Sequence, residues 1–199
     1  MPSPLPPSLY RLAAAVVRFL PAALDEFAAE AGPEPLTAEA KEVLLQCHLF
    51  CGFPRTIAAL DHLRGAGIPP GVGSDPTPAP GSPAAGSALF ERIYGEGAEG
   101  VRDHLQSLDP DLAELVAKHA YGTVLSRGGL DAPARELLAV VMLAATGHDR
   151  QLASHVRGAV RCGATPAQVS DALDAVEDLV PSEHMKRARD VTARFTRPH

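Results

Sequence analysis

Apolar positions recur at three- and four-residue spacing along most of the chain, and no bounded run alternates with period two. That pattern predicts helices and no sheet. The first helix is expected from about Leu9 to Ala31, capped by Ser8 and split near Leu20 by Pro21. Gly32-Pro33 ends it, and the Pro-rich stretch 1–7 before it reads as extended. Thr37 is a good N-cap for a helix from Ala38 to Cys51, whose inner face carries Val43, Leu44, Cys47 and Phe50 or Cys51. Gly52 stops that helix, and Pro54 suits the first turn of the next, which carries Ile57, Leu60 and Leu63. From Gly67 to Gly86 the pattern lapses. Eleven of these 20 residues are Gly or Pro, so the stretch reads as a mobile linker between residues 1–66 and 87–199.

The periodicity then resumes. Helices are expected over Ala88–Tyr94, Ala98–Gln106 and Pro110–Leu125, the last opened by Asp109-Pro110. Asp131 and Pro133 open a strongly apolar helix running to Thr146. After Gly147 another reaches Arg161; Thr165-Pro166 opens one bearing Val169, Leu173 and Val176, and Pro181 starts the last, to Phe195. The fold class is therefore all-α.

One stretch, Ala134 to Gly163, concentrates ionisable groups against apolar sequence: Glu136, His148 and His155. The two histidines stand seven residues apart, nearly two helical turns, which puts them on one side. Glu136 near a helix start can simply favour the helix dipole, or act as an acid or base among apolar neighbours. His155, between Leu152, Val156 and Ala159, can be a core residue or a proton carrier. Arg127 and Arg135 can grip a substrate carboxylate in bidentate fashion, or serve a turn and a surface ion pair. Tyr121 can donate to the site or fill the core. A metal held by His148, His155, Glu136 and perhaps His184 is disfavoured, because paired histidine ligands on one helix sit one turn apart. Cys47 and Cys51 are one turn apart rather than Cys-x-x-Cys and read, like Cys162, as small buried apolar residues.

Composition narrows the classes. The chain has 199 residues, 46% hydrophobic and 21% charged, with net charge -6 and no basic stripe, which argues against nucleic acid. Leu137–Ala145 is the longest apolar run, well short of the roughly 20 residues a bilayer needs. Leu12–Leu20 is interrupted by Arg18 and reads as an amphipathic helix rather than a signal peptide. Three cysteines, an odd count, fit a reducing cytoplasm.

Two segments echo one another in capping and apolar spacing: Leu36–Cys47 and Thr165–Val176. Ala120 to Leu173 carries Tyr-Gly, Ser-Arg-x-Gly-Leu, an Arg-Glu-Leu-Leu helix start, the Leu152 and His155 pair, and Gly-x-Thr-Pro. Together with Phe90–Gly95, this set resembles the carboxymuconolactone decarboxylase family. Leu44–Arg55 resembles another hallmark of that family, a Leu-Leu-Gln helix ending at Gly-x-Pro, but in the N-terminal half. The resemblance implies two fused, diverged units, 1–66 and 87–199, in an alkylhydroperoxidase-D-like helical fold that forms homo-oligomers. Peroxidase relatives carry Glu, eleven residues, Cys-x-x-Cys, three residues, His. Counted from Glu136, those cysteine positions fall on His148 and Gln151, and the histidine on His155. The implied activity is a cofactor-free, metal-free lyase or isomerase acting on a small carboxylated lactone or ring-cleavage product. Glu136, His155 and His148 would supply acid–base chemistry; Arg127, Arg135 and Tyr121 would bind substrate. The alternatives are a non-catalytic binding protein and, less favoured, a thiol peroxidase using Cys47 and Cys51.

Overall fold

The computed structural model describes residues 5–71 and 78–195. Ten α-helices are described: α1 Pro7–Arg18, α2 Pro21–Ala31, α3 Ala38–Gly65, α4 Pro83–Tyr94, α5 Ala98–Leu108, α6 Pro110–Leu115, α7 Ala132–Thr146, α8 Asp149–Arg161, α9 Pro166–Asp174 and α10 Ser182–Phe195. Among the described residues there is no strand.

The caps explain most boundaries. Thr37, Asp109, Asp131 and Thr165 each accept the backbone N–H three residues on, and Thr165 forms a full capping box with Gln168. Helix α7 is the axis of the molecule: every residue from Pro133 to Ala145 is buried. An amphipathic surface helix has one dry face; a helix dry all round must be covered on every side. α1, α8, α9, α10 and α3 supply that cover. α1 is similarly central, with Leu12 to Val17 fully buried. One apolar cluster therefore runs from Leu5–Ile68 into Leu130–Ala188, joining both halves of the chain. A smaller cluster of Phe90, Ile93, Ala98, Tyr121, Leu125 and Cys162 lies beside it.

Several boundaries differ from the sequence reading. α1 begins at Pro7 with Pro6, not Ser8, at the N-cap, because proline suits N1 without any side-chain cap. The chain breaks at Phe19-Leu20, Phe19 taking a left-handed conformation (φ 54°). α3 contains the expected break at Gly52 (φ 76°, ψ 164°), yet its two arms, 38–51 and 53–65, follow without a loop. α3 is long and apolar enough to cross a membrane by length and composition alone, and its N-terminal arm gives Ala40, Val43, Leu44 and Cys47 to the apolar cluster. The helix expected over Pro110–Leu125 widens to a π-helix over Val116–Leu125, a feature periodicity does not encode.

Part of the stretch expected to be a mobile linker is built into the fold. Pro83–Gly86 opens α4 on a Ser82 cap, and Gly128 N–H bonds Ala79 O at 2.9 Å. A Cβ on Gly86 would stand 2.6 Å from Gly122 N, so the glycine there permits backbone-to-backbone packing rather than freedom. Residues 72–77, the middle of that stretch, and 1–4 of the Pro-rich start lie outside the described residues.

Candidate active site

Glu136 projects from α7 toward α8, and Gly158 makes room for it. A Cβ at Gly158 would collide with the Glu136 carboxylate and with Ile93. Glu136 is 1% exposed and receives His155 Nδ1 on Oε2 at 3.0 Å. A buried carboxylate needs such a donor. The bond uses His155 Nδ1–H, which leaves Nε2 as the free ring nitrogen. Burial alone pulls the His155 pKa down; the adjacent carboxylate more than reverses this, so the imidazolium persists above its ordinary range.

His155 is a wall of a cavity of about 580 Å³ bounded by α3, α4, α5, the π-helical segment and α8. Tyr94, Tyr121, His148, Arg150 and His104 are among its other polar groups, with Thr146, Gln151 and Ser154, and Leu49 and Phe50 form part of its apolar wall. Tyr121 O–H donates to Tyr94 Oη at 3.1 Å, and burial pushes both phenols up. The Phe50 ring meets His155 edge-on, centroids 6.1 Å apart. His148 stands at the N-cap of α8, exposed, with Nδ1 2.8 Å from Thr146 Oγ1. The two histidines thus face one cavity although only His155 lies within the helix. Arg150 is exposed at the rim, with Nη2 3.4 Å from His104 Nε2.

The two expected substrate-binding arginines are elsewhere. Arg127 Nε and Nη2 donate to Glu42 Oε1 at 2.9 and 2.8 Å, and Arg135 Nη2 to Glu42 Oε2 at 2.9 Å. Arg135 is 1% exposed, and Gln46 Nε2 donates to its carbonyl at 2.8 Å. Neither arginine lines the His155 cavity. Their guanidinium groups neutralise a fully buried carboxylate from α3. Burial would raise the Glu42 pKa, but the two guanidinium groups hold it below the ordinary value. Sequence spacing could not reveal the clamp, since Glu42 lies 85 and 93 residues from its partners.

Arg150, Tyr94 and His104 were not singled out in advance. Tyr94 lies in the Phe90–Gly95 stretch and was within reach of sequence reasoning; nothing in the periodicity separates Arg150 from other exposed arginines. All three cysteines are free thiols. Burial pushes the Cys47 and Cys51 thiols up, and Cys162 is pushed up to about 11. Among the described residues, no three or more His, Cys, Asp or Glu side chains gather as a metal site.

A sequence model of the carboxymuconolactone decarboxylase family matches residues 110–194, from α6 to the end of α10, and so includes Glu136, His148 and His155. Peroxisomal protein 2 of Schizosaccharomyces pombe is 32% identical over 149 residues, covering 70% of this chain and 67% of that protein.

Proposed function

The chain belongs to the carboxymuconolactone decarboxylase family, and from that premise we propose that it is an acid–base lyase acting on a small carboxylated lactone or ring-cleavage product. The observation that carries the reading is the Glu136–His155 pair set at the wall of an apolar cavity. Three free thiols all pushed toward the protonated form support acid–base over thiol chemistry at this site, because the thiolate is the reactive species.

In the proposed step the bond from carbon to the substrate carboxylate breaks and CO2 leaves. Its electron pair moves into a conjugated carbonyl of the substrate, and a proton then passes from His155 Nε2 to the carbon. The net change is one proton taken up for one CO2 released. Apolar walls disfavour the carboxylate and favour neutral CO2. Glu136 acts through His155, holding its ring and keeping it charged; it is a positioning residue. The Tyr94–Tyr121 pair offers a neutral donor to developing oxyanion charge. Arg150, at the rim, replaces Arg127 and Arg135 as the cation available to the incoming carboxylate.

The test is CO2 release from a panel of small unsaturated carboxylactones, 4-carboxymuconolactone included. On the substrate turned over, His155→Ala is expected to lose about 10²–10⁴-fold in rate. Because the acid form of His155 is needed, kcat falls as pH rises through its raised pKa; Glu136→Gln shifts that fall to lower pH. Full turnover by both variants would refute the assignment, and CO2 release from no member of the panel, with saturable binding of one, would favour the non-catalytic binding protein. Cytoplasm is the working location. A tagged chain that co-sediments with peroxisomes, the compartment in the name of the fission-yeast relative, would replace it.

A further inference from the structure

A second cavity, of about 540 Å³, shares no lining residue with the first. It lies between the two arms of α3, the segment ending at Gly71, and the π-helical segment. The π-helix and the N-terminal arm of α3 serve both spaces: Leu49, Phe50 and Tyr121 face the first, while Leu45, His48 and His119 face the second. Its body is aliphatic, built from Leu44, Leu60, Leu63, Ile68 and Val124. Its charged residues are Lys41, Arg64 and Arg127, with no carboxylate among the lining side chains. Arg127 is spent on Glu42, whereas Lys41 and Arg64 pair with no carboxylate among the described residues. The space is thus greasy with uncompensated positive charge.

A histidine pair adds a polar edge. His48 Nδ1 donates to the Leu45 carbonyl, and its Nε2 lies 2.7 Å from His119 Nε2. Burial and the neighbouring ring pull the His48 pKa down, and one of the two Nε2 atoms donates to the other. That leaves Nδ1 of His119 open. Phe53 stacks on His48 at 4.8 Å and 9°, and with Ile57 it exposes apolar surface beside the cavity, each more than half exposed.

We propose that this cavity is a binding site for an amphipathic monocarboxylate, its alkyl body against the leucines of α3 and its carboxylate compensated by Lys41 and Arg64. Sites of this size hold small organic ligands with most of their surface covered. Apolar burial supplies affinity, while the unpaired cations select an anion over a neutral ligand of equal length. A cationic amphiphile is excluded by the same charges. Nothing here depends on the chemistry assigned to His155.

The chain contains no Trp, so Ile57→Trp gives a single tryptophan, excited apart from the three tyrosines at 295 nm, at the cavity edge. Decanoate is expected to shift its emission saturably at one equivalent, and calorimetry on the unsubstituted chain is expected to give the same stoichiometry. Binding should be about tenfold or more tighter than for 1-decanol. The double variant Lys41→Met/Arg64→Met should lose that preference while binding decanol unchanged, with circular dichroism showing the fold intact. His155→Ala should bind decanoate like the parent. Equal binding of decanoate and decanol, an unaffected double variant, absence of saturable binding, or loss of binding in His155→Ala would each overturn the proposal.

Discussion

The Glu42 clamp shows how much one residue can decide here. A fully buried carboxylate survives because two guanidinium groups pair with it, one of them, Arg135, held in turn by Gln46. Removing one member of such a set leaves the others charged and dry, which costs about 3–5 kcal/mol. Glu42→Gln is therefore expected to lower the denaturation midpoint sharply in a urea titration at neutral pH. The pH dependence has a definite sign. Glu42 is held below its ordinary pKa, so its contribution is present above the unfolded-state value and is lost as acid is added through the folded-state value. The parent should weaken steeply across that acid window, and Glu42→Gln should flatten the slope. His155 works in the opposite direction: its raised pKa contributes below the unfolded-state value and the contribution is lost as pH rises through the folded one. At this scale the sequence was half informative. Glu136 and His155 were readable because a local spacing ties them across one helix pair. The duty of Arg127 and Arg135 was not, because a long-range carboxylate decides it.

At the scale of elements, glycines carry the information that periodicity lacks. Gly52 sits at φ 76°, ψ 164°, a region open to glycine and strained for any side chain. Gly52→Ala should cost about 1–3 kcal/mol, read as a lower thermal midpoint. Because Phe50 faces the first cavity and Phe53 the second, it should also disturb both, visible as changed histidine resonances for His155 and His48. Gly86 makes a stricter demand, since its missing Cβ lets α4 lie against the backbone of the π-helical segment. Stop signals at Gly52, Gly147 and Gly163 were legible, and so were the Thr and Asp caps. Two features were not. A Gly/Pro-rich composition reads as freedom, yet Ala79 to Gly86 packs closely on residues 122–128. The π-widening at Val116–Leu125 places His119 and Tyr121 on different cavities, and an apolar repeat does not distinguish it from an α-helix.

For the molecule as a whole, the two halves named from the sequence share one core. Leu12, Val16 and Val43 belong to the same apolar cluster as Leu138, Met142 and Leu173. With α7 covered by α1 and α3, residues 87–199 alone would expose the inner faces of α7, so the full chain is expected to unfold in a single transition. Among the described residues α5 and α6 leave an apolar face uncovered. α5 buries only Ala98 and α6 buries nothing, while Leu108, Leu112 and Leu115 are 61%, 46% and 58% exposed. Leu112 and Leu115, three apart on one helix, share a face. Leu108 also lines the His155 cavity, so whatever covers this face completes that cavity's wall. A second copy of the chain is the expected cover: large exposed apolar patches on soluble chains mark association surfaces. Light scattering after size exclusion should give a mass above the 20.8 kDa of one chain. Leu112→Lys, a substitution at an exposed position that leaves the core untouched, should return the protein to the monomer and depress turnover without lowering its helix content. A parent already monomeric at micromolar concentration would mean that α5 and α6 meet some other surface and that the His155 cavity functions with one wall open.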